Sequence, residues 1–519
     1  MAAGEEKQEK HKITSLYFVF IVLEGIVAIF FAFVNFFSVQ IFDRYSLCAA
    51  LVCIALFLLF FFAFKKFSAL LKAHIPVFLT AVLILSFGLR LAFVLTVQTQ
   101  PISDFNVTYL AAGQYLQKGP EAYSSGSYFA AYPFMIIYSL WEALILHLFH
   151  SMLAIKVINV ILMTASNALI YFVAEKITSS VAALFAAFLY AALPEILFMT
   201  SVLTNQIPAT FFFLLCVWFL VSADHRIRNY IFAGISLAVS NLFRPEAITL
   251  LAALVLWGIV FLRQKRKIGI PWKQCGLSLM KSILPLFLVY SVIMGAASSA
   301  VRKENFCKTG LNSTVISWKF MCGLNPESGG GFVDPSHFPD YIRAGSLQEK
   351  DAAGKAYIRK NISAILKAEA PLRFFERKNE NMWNGLVYSS WSCYGLDQTR
   401  TIAGRYTIKD FLLDIDTVNQ ILSLIVWTSI AAGLLSLMKQ REFDPNILLL
   451  SLLLFTTFGA YCLIEYQTRY RFNTMGFAVI LAALSFDHCI ERKCKKSRPS
   501  GSSAENDNTN EPLPANRKA

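Results

Sequence analysis

Residues 74–98, HIPVFLTAVLILSFGLRLAFVLTVQ, are an apolar run, and residues 100–133, QPISDFNVTYLAAGQYLQKGPEAYSSGSYFAAYP, turn polar and aromatic. The first stretch is long enough to cross a bilayer as a helix, which takes roughly 20 mostly apolar residues. The second opens with an acid, Asp104, just past the end of that run. An acid at the mouth of a span, with a loop of Tyr, Gly and Ser behind it, is a place where soluble chemistry meets a lipid-borne substrate.

Comparable runs lie near residues 14–39, 46–64, 153–174, 181–195, 205–221, 229–242, 246–262, 280–299, 419–437, 446–463 and 472–488. Together they predict an all-α polytopic membrane protein of about twelve transmembrane helices. Several are short for a perpendicular crossing, which implies tilt or local thinning. Composition agrees: 56% of the 519 residues are hydrophobic and only 15% charged, a balance foreign to soluble domains. The net charge of +14 does not point to nucleic acid, because Lys and Arg sit in short clusters between apolar runs. Residues 1–13 are polar, and the run after them is longer than a secretory leader's apolar region and lacks a small-residue cleavage site, so the first span is expected to stay.

The basic clusters fix an orientation. Lys7, Lys10 and Lys12 precede the first run; Lys65, Lys66 and Lys72 follow the second, and Arg226 and Arg228 the sixth. Arg263, Lys265, Arg266 and Lys267 follow the eighth, Lys439 and Arg441 the tenth, and Arg492, Lys493, Lys495 and Lys496 the last. With twelve spans and a cytoplasmic N-terminus every cluster lies inside, where basic residues concentrate. The same rule keeps residues 131–150 from crossing, so they are expected to form a juxtamembrane helix at the outer interface.

The expected organisation is an N-terminal transmembrane module over 1–300 with a catalytic outer loop at 99–152, a mixed extracytoplasmic segment over 301–418, C-terminal transmembrane helices over 419–488, and a disordered cytoplasmic tail over 489–519. Such a protein is multi-pass in the cytoplasmic membrane, with both termini inside and its site outside. Amphipathic patterns near 346–367 and 371–387 predict two helices in the outer segment. The cysteines form no CxxC pair and suggest neither zinc nor a disulfide framework, although Cys307, Cys322 and Cys393 share that segment and leave room for one bridge.

Asp104 is placed to take a proton from an acceptor hydroxyl while a sugar on a lipid phosphate is attacked at its anomeric carbon. The plainer alternatives are a solvated loop acid or a helix cap. Arg90 lies about two turns below the outer end of its span. Burying it costs about 2.5–3.5 kcal/mol, so it is expected to pair or snorkel, with a lipid phosphate as one partner and a neighbouring helix or the acid of the outer loop as the structural alternative. Glu24, in the first run, is read as structural. Lys156, Arg244 and the turn EYQTRYRFN (465–473), with Arg469, Tyr470 and Arg471, add cations at the same outer level, against the positive-inside preference. A guanidinium suits a phosphate, and one of Arg469 and Arg471 is favoured for that contact over both. In RKNENMWNGL (377–386), Trp383 offers a plate for a sugar face and Lys378 a phosphate contact; an interfacial anchor is the alternative. The sequons at Asn106, Asn312 and Asn361 fall outside on this topology. No P-loop, dinucleotide fingerprint, zinc motif or nucleophile elbow is present, so nucleotide-driven chemistry is not expected.

The order SDFNVTYLAAGQYLQKG, YFAAYPF, AIKVINVILMTASNALIYFVAEKI, ALPEILFMTSVLTNQIPATFFFLLCVWFL, NLFRPEAI and RYRF resembles the integral membrane glycosyltransferases of the GT-C class. The similarity is to the bacterial branch related to protein O-mannosyltransferases and aminoarabinose transferase. FMCGLNPESGGGF and PLRFFERKNENMWNG resemble the long outer segment of versions from Gram-positive bacteria. The resemblance implies a membrane bundle with an external catalytic face, juxtamembrane helices, an acid on the first outer loop as general base, and a polyprenyl-phosphate sugar as donor. Asp104 matches the acid, Arg90 and Lys156 match cations that meet the phosphate, and RYR matches a late arginine motif. The acceptor would be a glycan, lipid or protein. The chain departs from the O-mannosyltransferases where Phe105 follows Asp104 in place of an Asp-Glu pair, and where Asn205 stands for an acid. That leaves open whether a divalent metal, Mg or Mn, takes part. A surface-polysaccharide polymerase or ligase and a polytopic lipid or sugar transporter are the alternative readings; a transporter would show inverted repeats.

Overall fold

The computed structural model describes residues 15–41, 43–97, 99–124, 127–223, 226–267, 269–311, 316–384, 393, 396–440 and 443–496. The polar start with Lys7, Lys10 and Lys12, the tail after 496, Asn312 and Arg441 lie outside the described residues. Capping chemistry sets where several helices begin. After α1 (Ser15–Ser38), Asp43 opens α2 (Arg44–Lys66) with a capping box: its carboxylate accepts from the Tyr45 and Ser46 N–H groups, and Ser46 Oγ accepts from the Asp43 N–H. A short α3 (Ser68–Ala73) leads into α4 (Ile75–Thr96). Four helices follow: α5 (Ser103–Lys118), α6 (Glu121–Ser124), α7 (Ser127–Ala131) and α8 (Phe134–Phe149). Ser151 and Ser179 cap α9 (Met152–Ala174) and α10 (Ser180–Ala192). Pro194 lacks an N–H and cannot continue α10, so α11 (Pro194–Phe198) sets off at 58° to it.

The chain continues through α12 (Gln206–Val221), α13 (Ile227–Phe243), α14 (Ala247–Lys267) and α15 (Trp272–Lys303). Then come α16 (Ile316–Gly323), α17 (Pro339–Arg343), α18 (Leu347–Lys367), α19 (Pro371–Trp383) and a small hairpin of β1 (Thr401–Ala403) and β2 (Tyr406–Thr407). The last helices are α20 (Ile408–Gln440), α21 (Pro445–Leu463) and α22 (Phe472–Lys496). Eleven of the twelve apolar runs are each helical, the run 181–195 is split at Pro194 between α10 and α11, and the two amphipathic patterns are α18 and α19. Among the described residues nine helices are long and apolar enough to cross a membrane alone, and the bent pair at Pro194 would make a tenth. α12 and α13, of 16 and 17 residues, are the short ones. α20 begins at Ile408, about three turns before the apolar run it contains.

Contacts at helix ends sort the connections into two levels. At the Asp104 level, Lys156 donates to Thr99 O (2.6 Å), Thr99 Oγ1 to Ser201 O (3.1 Å), Asn205 Nδ2 to Phe243 O (2.7 Å), Gln206 Nε2 to Arg469 O (2.6 Å) and Gln420 Nε2 to Ser38 O (2.8 Å). At the other level, Asp487 Oδ1 accepts from the Ser179 N–H (3.0 Å) and Trp257 Nε1 donates to Pro445 O (2.8 Å). The helices that end at this second level carry Lys65, Lys66, Arg263, Lys265, Arg266, Lys267 and Lys439, so these basic residues share one end of the bundle. α8 does not traverse: Met135 near its start touches Asn205, and Ile145 near its end packs with Ile155 and Leu203, all at the Asp104 level.

At the centre, small residues of α10 (Ala182, Ala183, Ala186, Ala187) and α22 (Ala478, Ala482, Ala483) are fully buried and let the helices approach closely. The segment after α15 is seated on the link between α21 and α22. Glu465 N–H donates to Lys319 O (2.7 Å) and Tyr466 N–H to Gly330 O (3.1 Å). Gly323 lies so close to the backbone of Leu463, Ile464 and Glu465 that an added Cβ would overlap it. Gly323→Ala should therefore cost about 3 kcal/mol by forcing the seat apart, read as a lower melting temperature with helicity kept. Cys307, Cys322 and Cys393 are free thiols, and Cys322 and Cys393 belong to separate clusters.

Candidate active site

Asp104 is not a cap. The cap position of α5 is Ile102, which offers no side-chain bond, and Asp104 sits in the first turn, where a helix N-terminus favours negative charge. Just before it, Ser103 holds a left-handed φ of 49°, a conformation that costs a non-glycine residue roughly 1 kcal/mol or more. Asp104 is about half exposed (46%), and its carboxylate lies 3.6 Å from the guanidinium of Arg469.

Arg469 comes from the turn Thr468–Arg471 before α22. Its Nε donates to Gln467 Oε1 (2.6 Å), and its guanidinium lies 4.8 Å from the centre of the Phe105 ring. Gln467 in turn donates to Glu465 (2.8 Å), and Glu465 pairs with Lys319 at 2.7 Å. Lys319 also donates to the Tyr470 hydroxyl (3.1 Å), and Arg244, paired with Glu246, lies over the Tyr470 ring at 4.7 Å. Asn473 donates to the other oxygen of Glu246 (2.9 Å). Burial alone would lower the Lys319 ammonium, but Tyr470 and Glu465 outweigh it and push it up.

Asp104, Arg469, Tyr470 and Arg244 are thus brought together. The other expected residues have buried partners. Arg471 is fully buried, 2.6 Å from the fully buried Glu195, and also donates to Trp383 O (2.7 Å). Of the two arginines, then, one reaches the mouth. Arg90 donates to Ser86 O (3.1 Å) inside α4, with Tyr190 of α10 near it. Lys156 is spent on Thr99, the residue that begins the loop to Asp104. Trp383 stacks on Phe31 (4.5 Å) and meets Trp427 edge to face (5.6 Å), and those two rings also touch each other. Asn205 ties the end of α13 to Met135 of α8.

Lys378 is fully buried and donates to Gly323 O (2.6 Å), Ile464 O (2.8 Å) and Cys462 O (3.0 Å). Burial pushes its pKa down to about 8, so it is still mostly ammonium at pH 7. Lys378→Met would strip three carbonyls of their donor, and a loss of roughly 2 kcal/mol or more is expected. The folded pKa lies below the unfolded 10.5, so the unfolded chain binds more protons between those values. Wild-type stability from this group rises with pH across that window, and the gap to the variant should widen from about pH 8 to 10 in melting scans.

Several residues of this neighbourhood were not picked out from the sequence: Glu195, Glu246, Lys319, Tyr128 and Tyr132. Both glutamates follow a proline at a helix start (LPE, RPE), and an acid there within apolar surroundings signals a buried cation to pair with it. Tyr128 and Tyr132, four residues apart with rings at 5.4 Å, lie in the same electrostatic neighbourhood, Tyr128 with Asp104 and Tyr132 first with Lys319 and Glu465. Burial first, then the charge of Asp104, pushes the Tyr128 hydroxyl up; burial takes Tyr132 to about 12. Both remain proton donors. As for a divalent metal, Asp104 faces an arginine rather than a second acid, and among the described residues no three His, Cys, Asp or Glu gather as a metal-holding group. The donor set for such an ion is not assembled among the described residues.

Residues 131–291 match the family model described as dolichyl-phosphate-mannose-protein mannosyltransferase. The match carries the reading of a GT-C class membrane glycosyltransferase; it takes in Lys156, Glu195, Arg244 and Glu246, while Asp104 and Arg469 fall outside it. Among solved structures, the chain is similar to the archaeal oligosaccharyltransferase AglB from Archaeoglobus fulgidus in complex with an inhibitory peptide and a dolichol-phosphate, at 14% identity and TM-score 0.45, covering 84% of this chain and 53% of that one. It is also similar to the Archaeoglobus fulgidus oligosaccharyltransferase tethered with an acceptor peptide containing the NVT sequon, at 16% identity and TM-score 0.48, covering 84% and 51%. The chain spans about half the length of these structures. No curated protein sequence matches it.

Proposed function

We propose that this chain transfers a sugar from a polyprenyl-phosphate-linked donor to an acceptor hydroxyl of a cell-surface glycan, lipid or protein, on the outer face of the cytoplasmic membrane. The observation that carries the reading is the meeting of a half-exposed carboxylate, Asp104, with a guanidinium, Arg469, at the mouth of the bundle. The family match of the helices beside them supports the same class of chemistry. Asp104 takes the proton of the acceptor O–H as that oxygen bonds to the anomeric carbon. The bond from that carbon to the phosphate oxygen breaks, and the electron pair leaves on the phosphate. Arg469, with Arg244 behind Tyr470, meets the charge growing on that phosphate, the point at which fixed cations lower a barrier most. The Tyr128 and Tyr132 hydroxyls donate to sugar oxygens. The donor carries its own activated bond, so no nucleotide enters.

The test is transfer of labelled sugar from a panel of polyprenyl-phosphate sugars by the purified protein, with release of polyprenyl phosphate followed alongside. Turnover of at least one donor is expected. Arg469→Gln should raise the donor KM about tenfold and lower kcat as well, since the leaving phosphate loses its cation. A protein that binds no donor of the panel, and instead moves lipid or sugar across vesicles, would replace this reading with that of a transporter.

A further inference from the structure

A cavity of about 320 Å³ opens at the end of the bundle opposite Asp104. α13 runs from Ile227 beside this cavity to Phe243 beside Arg244, and α14 returns from Ala247 to Lys267. The cavity and the candidate active site therefore sit at opposite ends of the same two helices, about 25 Å apart by helix rise. Its polar lining is Tyr230, Lys265, Ser278, Ser282 and Asn446, and the remaining walls are aliphatic and aromatic. Trp257 closes one side with its N–H held by Pro445 O (2.8 Å).

No acid is among the lining residues, and Lys265 forms no ion pair among the described residues; its ammonium lies 5.4 Å from the Phe261 ring centre. The nearby Asp444 is occupied in capping α21, accepting from the N–H groups of Asn446 and Ile447. Arg263, Arg266 and Lys267 share the last turn or two of α14 with Lys265, with Arg266 over the Trp272 ring at 5.2 Å. One wall is α15, which among its 32 residues buries only Cys275, Leu286 and Val301. It touches α13 where Gly234 admits the Leu286 backbone. One face of α15 packs along α13, and its other face, beside α14, is left exposed.

We propose that this cavity binds an anionic glycerophospholipid from the leaflet at that end. Its phosphate meets Lys265 and the Ser278 hydroxyl, and its acyl chains lie on the aromatic and aliphatic walls between α14 and α15. Basic pockets between membrane helices suit such headgroups. A zwitterionic lipid would bring a second cation to a site that already has an excess of them. The bound lipid completes the packing of α15 and is separate from the donor site.

The experiment is native mass spectrometry of the full chain after delipidation and re-addition of phosphatidylglycerol or phosphatidylcholine, with melting in the same detergent as the fold control. Wild type should retain phosphatidylglycerol and melt several degrees higher with it than with phosphatidylcholine. Lys265→Ala should weaken retention about fivefold, the value of one cation near a headgroup. Ser282→Phe, which fills the cavity, should abolish it while melting as a folded protein, and Lys273→Ala, off the cavity, should leave it unchanged. The proposal is overturned by equal retention of the two lipids, by a Ser282→Phe variant that keeps phosphatidylglycerol, or by Lys273→Ala losing as much as Lys265→Ala. Preference for polyprenyl phosphate over phosphatidylglycerol would also overturn it.

Discussion

Asp104→Asn should bind a polyprenyl-phosphate sugar as wild type does, melt at the wild-type temperature, and transfer at least about a hundredfold more slowly, the low end of what a positioned base contributes. The carboxamide keeps the shape of the side chain and can still meet Arg469 through its oxygen, so neither α5 nor the arginine turn should move. What it lacks is a group able to accept the acceptor's proton. Donor affinity measured beside turnover separates the two roles, because a base acts in the transition state and a binding group acts in both states. A variant with wild-type turnover would make Asp104 a helix-terminus charge and no more. A variant that loses affinity and turnover together would make it part of the donor cradle.

The second large effect is expected at Arg471. Removing it as Arg471→Met leaves the Glu195 carboxylate, wholly buried, without its counter-charge, and breaking a buried pair from one side costs roughly 3–5 kcal/mol. Most of the protein should then be lost as aggregate on extraction. Arg471→Met with Glu195→Leu removes both charges and should restore a monodisperse protein and most of the melting temperature, since replacing a whole buried pair by apolar groups is often neutral. Donor affinity in that double variant is the deciding reading: near wild type, Arg471 is a girder; lost about tenfold in a folded protein, it reaches the phosphate. An unimpaired single variant would contradict the burial itself.

The helices were legible because apolar length is a strong signal, and the apolar helix α8, which does not traverse, was legible from charge placement rather than from its own apolar character. The bend at Pro194 was not read, since a proline inside an apolar run leaves the run's length intact while changing its direction. At the site, the cations were found but their partners were not. Lys156, Lys378 and Arg471 look alike in sequence to Arg469, as cations near a helix end, and what distinguishes them is that their partners are buried carbonyls or a buried carboxylate, whereas the carboxylate beside Arg469 is the half-exposed Asp104. Lys378 meets residues 323, 462 and 464, and Arg471 meets residues 195 and 383, separations no local pattern encodes. The start of α20 at Ile408 was hidden for a similar reason: its first turns are polar, and only the later ones announce themselves by hydropathy.

The seat of the segment before α20 has a consequence for anyone who would exchange it. Gly323 and Lys378 are fitted to the backbone of residues 462–465 rather than to side chains there. A graft that carried 316–384 from another protein onto this bundle without a lysine at the place of Lys378 would leave the link's carbonyls without their donor, and side-chain matching elsewhere could not repair it. The transplantable unit is therefore written in two pieces far apart in the chain, the segment and the short link between the last two helices, and a folded graft is obtained only when both travel together.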